Sequence, residues 1–70
     1  MTVQTNQLRP GDIVRVGRRR IVAAIIDPDY STRTVRVDWM TPGGYYAGSA
    51  KYPEAEAWTI VGRDLSYGGR

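Results

Sequence analysis

The chain contains no cysteine, no histidine and no phenylalanine. Without Cys there is neither a disulfide nor a thiolate metal cage, and without His the usual zinc sites are excluded too, so crosslinks and metals cannot support this small domain. The same two absences remove the common general base and the thiol nucleophile. Ser31, Ser49 and Ser66 have no activating partner in the sequence. Asp12, Asp27, Asp29, Asp38, Glu54 and Glu56 fall at turns and strand edges, where acids ordinarily cap or face water. The sequence therefore predicts no enzyme, no catalytic residue, no metal and no cofactor. Asp27-Pro28-Asp29-Tyr30-Ser31 imitates the opening of a calcium loop, with Asp38 in the closing position. It carries Thr32 where that loop needs Gly, and its flanks read as strands rather than helices.

Long apolar runs are missing as well. The longest, Ile21 to Ile26, is too short to cross a bilayer, and no basic-then-apolar leader opens the chain, so the expected address is cytoplasmic, away from membranes. With 70 residues, one domain is expected, and a chain of that size buries only about 60% of the surface it exposes when unfolded. The fold must stand on packing alone.

The charge is uneven. Residues 1–36 carry seven Arg against three acids, whereas residues 37–70 carry three bases against four acids, within a net charge of +3. A field concentrated in one half attracts polyanions. Nine of the ten basic residues are Arg, a bias that a GC-rich coding sequence also produces.

Along the chain, Met1 to Gln7 shows no periodicity and reads as a flexible lead-in, residues 8–64 as the domain and residues 65–70 as a tail. After a turn at Leu8-Arg9-Pro10-Gly11-Asp12, Ile13 to Val16 forms a first strand. Gly17-Arg18 fits a two-residue type II′ hairpin loop, which pairs Val14 with Ile21 and Arg15 with Arg20, while a four-residue loop would instead pair Val16 with Ile21. Ile21, Ala23 and Ile25 then share the core face with Val14 and Val16. Turn formers from Asp27 to Thr32 end the second strand. A third, Arg33 to Met40, alternates Val35, Val37 and Trp39 against Thr34, Arg36 and Asp38; pairing Val35 with Ile25 places Trp39 opposite Ile21. Thr41-Pro42-Gly43-Gly44 reads as a type II turn, and Tyr45 to Tyr52 as a fourth strand in which Gly48 marks a bend or bulge. Pro53 to Ala57 is expected to make one helical turn before a last strand at Trp58 to Val61.

About five short antiparallel strands and one helical turn predict an all-β, small, partly open barrel. The order of elements resembles SH3-like barrels over residues 8–64. Leu8-Arg9-Pro10-Gly11-Asp12-Ile13-Val14-Arg15-Val16, with Trp39 ending the third strand, resembles KOW-type and Tudor-like modules and small bacterial and phage barrels. Where KOW-type sequences continue with a glycine-studded segment, this chain has Gly17 and three Arg.

Two functional readings follow. In the first, Arg15, Arg18, Arg19, Arg20 and Arg36 contact the phosphates of DNA or RNA with weak sequence specificity, and Tyr45 or Tyr46 stacks on bases. In the second, Ile13, Val22, Ala24 and Ile26 leave an apolar outer face that takes a protein partner, either a second copy of the chain or a host protein met by a phage or mobile-element product. The same face is alternatively covered by the chain's own Tyr52, Trp58 or Ile60.

Overall fold

The computed structural model describes residues 1–64; the expected tail at 65–70 lies outside them. Six strands follow in order: β1 Thr2–Gln4, β2 Asp12–Val16, β3 Arg19–Asp29, β4 Thr34–Met40, β5 Tyr46–Pro53 and β6 Ala57–Arg63. They form one antiparallel sheet in the order β1-β6-β2-β3-β4-β5, which is not closed into a barrel. A small, partly open all-β domain is thus what the alternating pattern encodes.

The local turn chemistry explains most junctions. Arg9-Pro10-Gly11-Asp12 is a type II turn, with Asp12 N–H donating to the Arg9 carbonyl at 3.0 Å and Gly11 at φ 97°. The Asp12 carboxylate reinforces it by accepting from Arg9 N–H at 2.8 Å. Gly17 has φ 61° while Arg18 does not share its sign, the signature of a type II′ loop. Of the two registers the sequence allows, the shorter loop sets the one formed, with Val14 opposite Ile21 and Arg15 opposite Arg20.

Beyond Ala23 the expected register fails. Ala23 pairs with Trp39 but Ile25 pairs with Asp38, so Ala24 is an extra, bulged residue. A bulge reverses the inside–outside alternation downstream of it. Ile26, not Ile25, therefore joins the core, and Ile25 stands 59% exposed. Val16, also expected inside, is half exposed near the hairpin tip. A second bulge lies in β5, where Trp39 pairs with Gly48 and Met40 with Tyr46, and Gly48 takes φ 121°. This is the irregularity that Gly48 suggested.

Three further expectations are corrected. The lead-in at 1–7 is strand β1, paired with β6 through Val3 and Trp58, followed by the only helical turn among the described residues, a 3-10 turn at Thr5–Gln7. Pro53 to Glu56 makes a β-turn, with Glu56 N–H donating to the Pro53 carbonyl at 3.1 Å. Thr41-Pro42-Gly43-Gly44 is closed by Gly44 N–H to the Thr41 carbonyl at 2.9 Å, but the positive φ, 90°, belongs to Gly44 rather than Gly43, so the turn is not type II.

The core joins Leu8, Val14, Ala23, Val35, Val37 and Trp39, with Val3, Ile21, Ile26, Ala47, Tyr52, Trp58 and Ile60 packed against them. Its largest members are three touching rings: Trp39 and Trp58 at 5.3 Å, Tyr52 and Trp58 at 4.8 Å, Trp39 and Tyr52 at 6.1 Å between centroids. Each indole N–H has a partner. Trp39 Nε1 donates to the Tyr52 hydroxyl at 2.9 Å, and Trp58 Nε1 donates to Thr5 Oγ1 at 2.8 Å. Thr5 is fully buried, and its hydroxyl donates onward to the Glu56 carbonyl at 3.3 Å.

Thr5→Val should therefore destabilise the domain by about 1–2 kcal/mol in denaturant unfolding, because the Trp58 N–H loses its acceptor without any loss of side-chain volume. A pH effect arises at the β3–β4 turn. There the Asp29 carboxylate accepts from the Ser31 hydroxyl at 2.7 Å and from Ser31 N–H at 3.1 Å. The Ser31 hydroxyl is the main cause holding Asp29 below the ordinary carboxylate value. A lowered folded-state pKa contributes stability above the unfolded value and loses it as pH falls through the folded one. Thermal melts should show Asp29→Asn less stable than the parent at neutral pH, with the gap closing in acid.

Candidate nucleic-acid interface

The β2–β3 hairpin gathers Arg15, Arg18, Arg19 and Arg20 within two residue pairs of its turn. Arg15 and Arg20 are directly opposite on the outer face, while Arg19, opposite Val16, lies on the other face of the ribbon. All four are exposed. Arg15 Nε donates to the Gly17 carbonyl at 3.2 Å, so its guanidinium folds back over the turn. Among the described residues the ion pairs are Arg36–Asp38 at 3.5 Å and Arg63–Asp12 at 3.7 Å, so none of the four hairpin arginines is paired with a carboxylate.

Arg36 does not join them. It sits opposite Asp27, seven residues along β3 from Arg20 and so roughly 20 Å away at the usual strand rise. Asp38 supplies its counter-charge, and Ile25, Asp27, Arg36 and Asp38 together line a shallow cleft of about 140 Å³. The expectation that Arg36 shares the basic region assumed an unbulged β3, and the extra residue at Ala24 together with the actual register removes it.

Tyr45 and Tyr46 are exposed, at 76% and 66%. Both belong to the end of the sheet that carries the hairpin. Val22 pairs with Met40 and Met40 with Tyr46, so Tyr46 stands two strands from β3 on the outer face that Arg15 and Arg20 occupy. Val22 is two positions along β3 from Arg20. The side chains that hold the tyrosines were not apparent from the sequence. Thr41 Oγ1 accepts from Tyr45 N–H at 3.1 Å, and Ser49 Oγ accepts from the Tyr46 hydroxyl at 3.1 Å. The signal for the first is a Thr directly before Pro-Gly-Gly, a position where a side-chain oxygen commonly closes a turn.

The apolar outer face is largely buried. Val22 is fully buried, with Ile13 and Met40 as its cross-strand neighbours on the same face. Ile13 and Ala24 are half-buried, and Ile26 packs on the core. Tyr52, Trp58 and Ile60 are on the core side, so they are not the cover. The four-residue patch expected of Ile13, Val22, Ala24 and Ile26 is therefore not exposed as a unit. Among the described residues no helix is long and apolar enough to cross a membrane.

Comparison with known proteins finds no matching family model, no matching curated protein and no matching solved structure.

The uncompensated pair in this site has an energetic consequence. Arg15→Glu replaces a like-charge cross-strand pair with an attractive one, and should raise stability by roughly 0.5 kcal/mol. Denaturant unfolding at low and high salt checks this, since the gain should shrink as added salt screens both pairs.

Proposed function

We propose that the domain is an SH3-like barrel that binds nucleic acid without catalysis, holding phosphates with Arg15, Arg18, Arg19 and Arg20 of the β2–β3 hairpin. The observation that carries this reading is four exposed guanidinium groups at one turn with no carboxylate partner among the described residues. Like charges set directly opposite each other cost stability, and an anion bridging them removes that cost. Guanidinium groups meet phosphate through paired hydrogen bonds, and contacts of this kind position a backbone without reading its sequence. The element order, with a basic hairpin between the first two long strands and a bulged strand after it, supports the barrel assignment. Asp38 occupies Arg36, which is therefore outside the site.

Anisotropy titrations of labelled nucleic acid across a salt series test the proposal. Four phosphate contacts predict a log–log salt slope of roughly −3 to −4. An Arg18→Ala, Arg20→Ala double variant should lower the slope by about 2, and Arg36→Ala should leave it unchanged. No binding at low salt, or equal loss from Arg36→Ala, would contradict the assignment.

A further inference from the structure

We propose that the nucleic acid taken by this site is single-stranded, with Tyr45 and Tyr46 forming a base-stacking platform beside the arginine hairpin. The inference rests on the hairpin as a phosphate-binding element, and its own observation is the state of the two rings. The aromatic side chains divide sharply. Trp39, Tyr52 and Trp58 pack on one another in the core, whereas Tyr45 and Tyr46 remain in water at adjacent positions.

Both exposed tyrosines are nevertheless held. The backbone of Tyr45 is tied to Thr41 in both directions, its N–H donating to Thr41 Oγ1 and its carbonyl accepting from Thr41 N–H at 2.7 Å. Its ring lies over Gly43, where a Cβ would meet ring carbons Cδ2 and Cε2 at 3.6 Å. Tyr46 is anchored at its far end, through the hydroxyl donated to Ser49. A ring already restrained loses little freedom when a base settles on it, and base–aromatic stacking tolerates any sequence because every base has a π-face.

Placement supplies the rest. Tyr46 is on the outer face with Arg15 and Arg20, about 10 Å across the sheet from β3 at ordinary strand spacing. A strand crossing from the hairpin to the β4–β5 turn sets phosphates on the arginines and turns unpaired bases onto the tyrosines. In a duplex the bases are already stacked on each other and only phosphates and groove edges are presented, which leaves these rings nothing to stack on.

The test compares an oligothymidylate of about 12 nucleotides with a mixed-sequence duplex of the same length, at low salt, for the parent and three variants. The single strand should bind at least about tenfold tighter than the duplex. Tyr45→Ala, Tyr46→Ala should weaken the single strand about tenfold or more while leaving duplex affinity within about twofold. Tyr45→Leu, Tyr46→Leu keeps apolar bulk without a π-face and should lose the same preference. Tyr30→Ala is the control, because Tyr30 is 83% exposed but belongs to the β3–β4 turn at the far end of β3. Thermal midpoints confirm that each variant is folded. Equal or tighter duplex binding, or indifference to both tyrosine variants, overturns this inference and leaves the arginine reading standing. Absence of binding to either ligand overturns both.

Discussion

The contact among Trp39, Tyr52 and Trp58 is what turns a flat ribbon of strands into a domain. These rings come from β4, β5 and β6, and in the sheet order β2 and β3 lie between β6 and β4. Their packing brings one end of the sheet over the other and encloses the small Val14, Ala23, Val35 and Val37 side chains beneath. In a chain without phenylalanine, the indole rings must carry this load, and each brings a polar N–H that has to be satisfied. Tyr52 answers for one and Thr5 for the other. The N-terminal segment is thus not an appendage, because its Thr5 closes the polar account of the core while β1 extends the sheet along β6.

That architecture also sorts the charges. The bulge at Ala24 reverses the alternation along β3, so Ile26 enters the core and Ile25, Asp27, Arg36 and Asp38 gather on the outer surface toward the β3–β4 end. There acids and bases offset one another. At the opposite end of β3 the hairpin is short, carries Arg15, Arg18, Arg19 and Arg20, and has no acid within its own sequence from Ile13 to Ile26. The result is one strand with a neutralised end and a cationic end. The two tyrosines stand beside the cationic one.

Much of this was legible in the residues. A hairpin at Gly17 and its charge follow from local chemistry, whereas the choice of the two-residue loop, which sets the Arg15–Arg20 pairing, is made in the fold. The alternation of Val35, Val37 and Trp39 likewise identifies their buried face. The failures share a physical cause. Ile21-Val22-Ala23-Ala24-Ile25-Ile26 is apolar on both faces, and such a run does not say where an extra residue is inserted; register there is decided by packing across the sheet. Arg36 and Ile25 were misplaced for that reason. Residues 1–7 were missed because three residues of strand have too little length to show a period, and their ordering depends on Trp58, distant in sequence. Val22 reads as exposed surface because strand alternation puts it on the face opposite Val14 and Ala23, and alternation alone does not show that it is buried there.

The central claim is spatial: one end of the sheet, comprising the β2–β3 hairpin and the β4–β5 turn, meets nucleic acid. It is tested most directly by following backbone amide NMR shifts of the isotope-labelled chain as an oligothymidylate is added at low salt. The account predicts that perturbations concentrate at Arg15 to Arg20 and Thr41 to Tyr46, with Asp27, Tyr30 and Arg36 unmoved. Perturbations centred on Arg36 or the β3–β4 turn, or no perturbation at all, would contradict it.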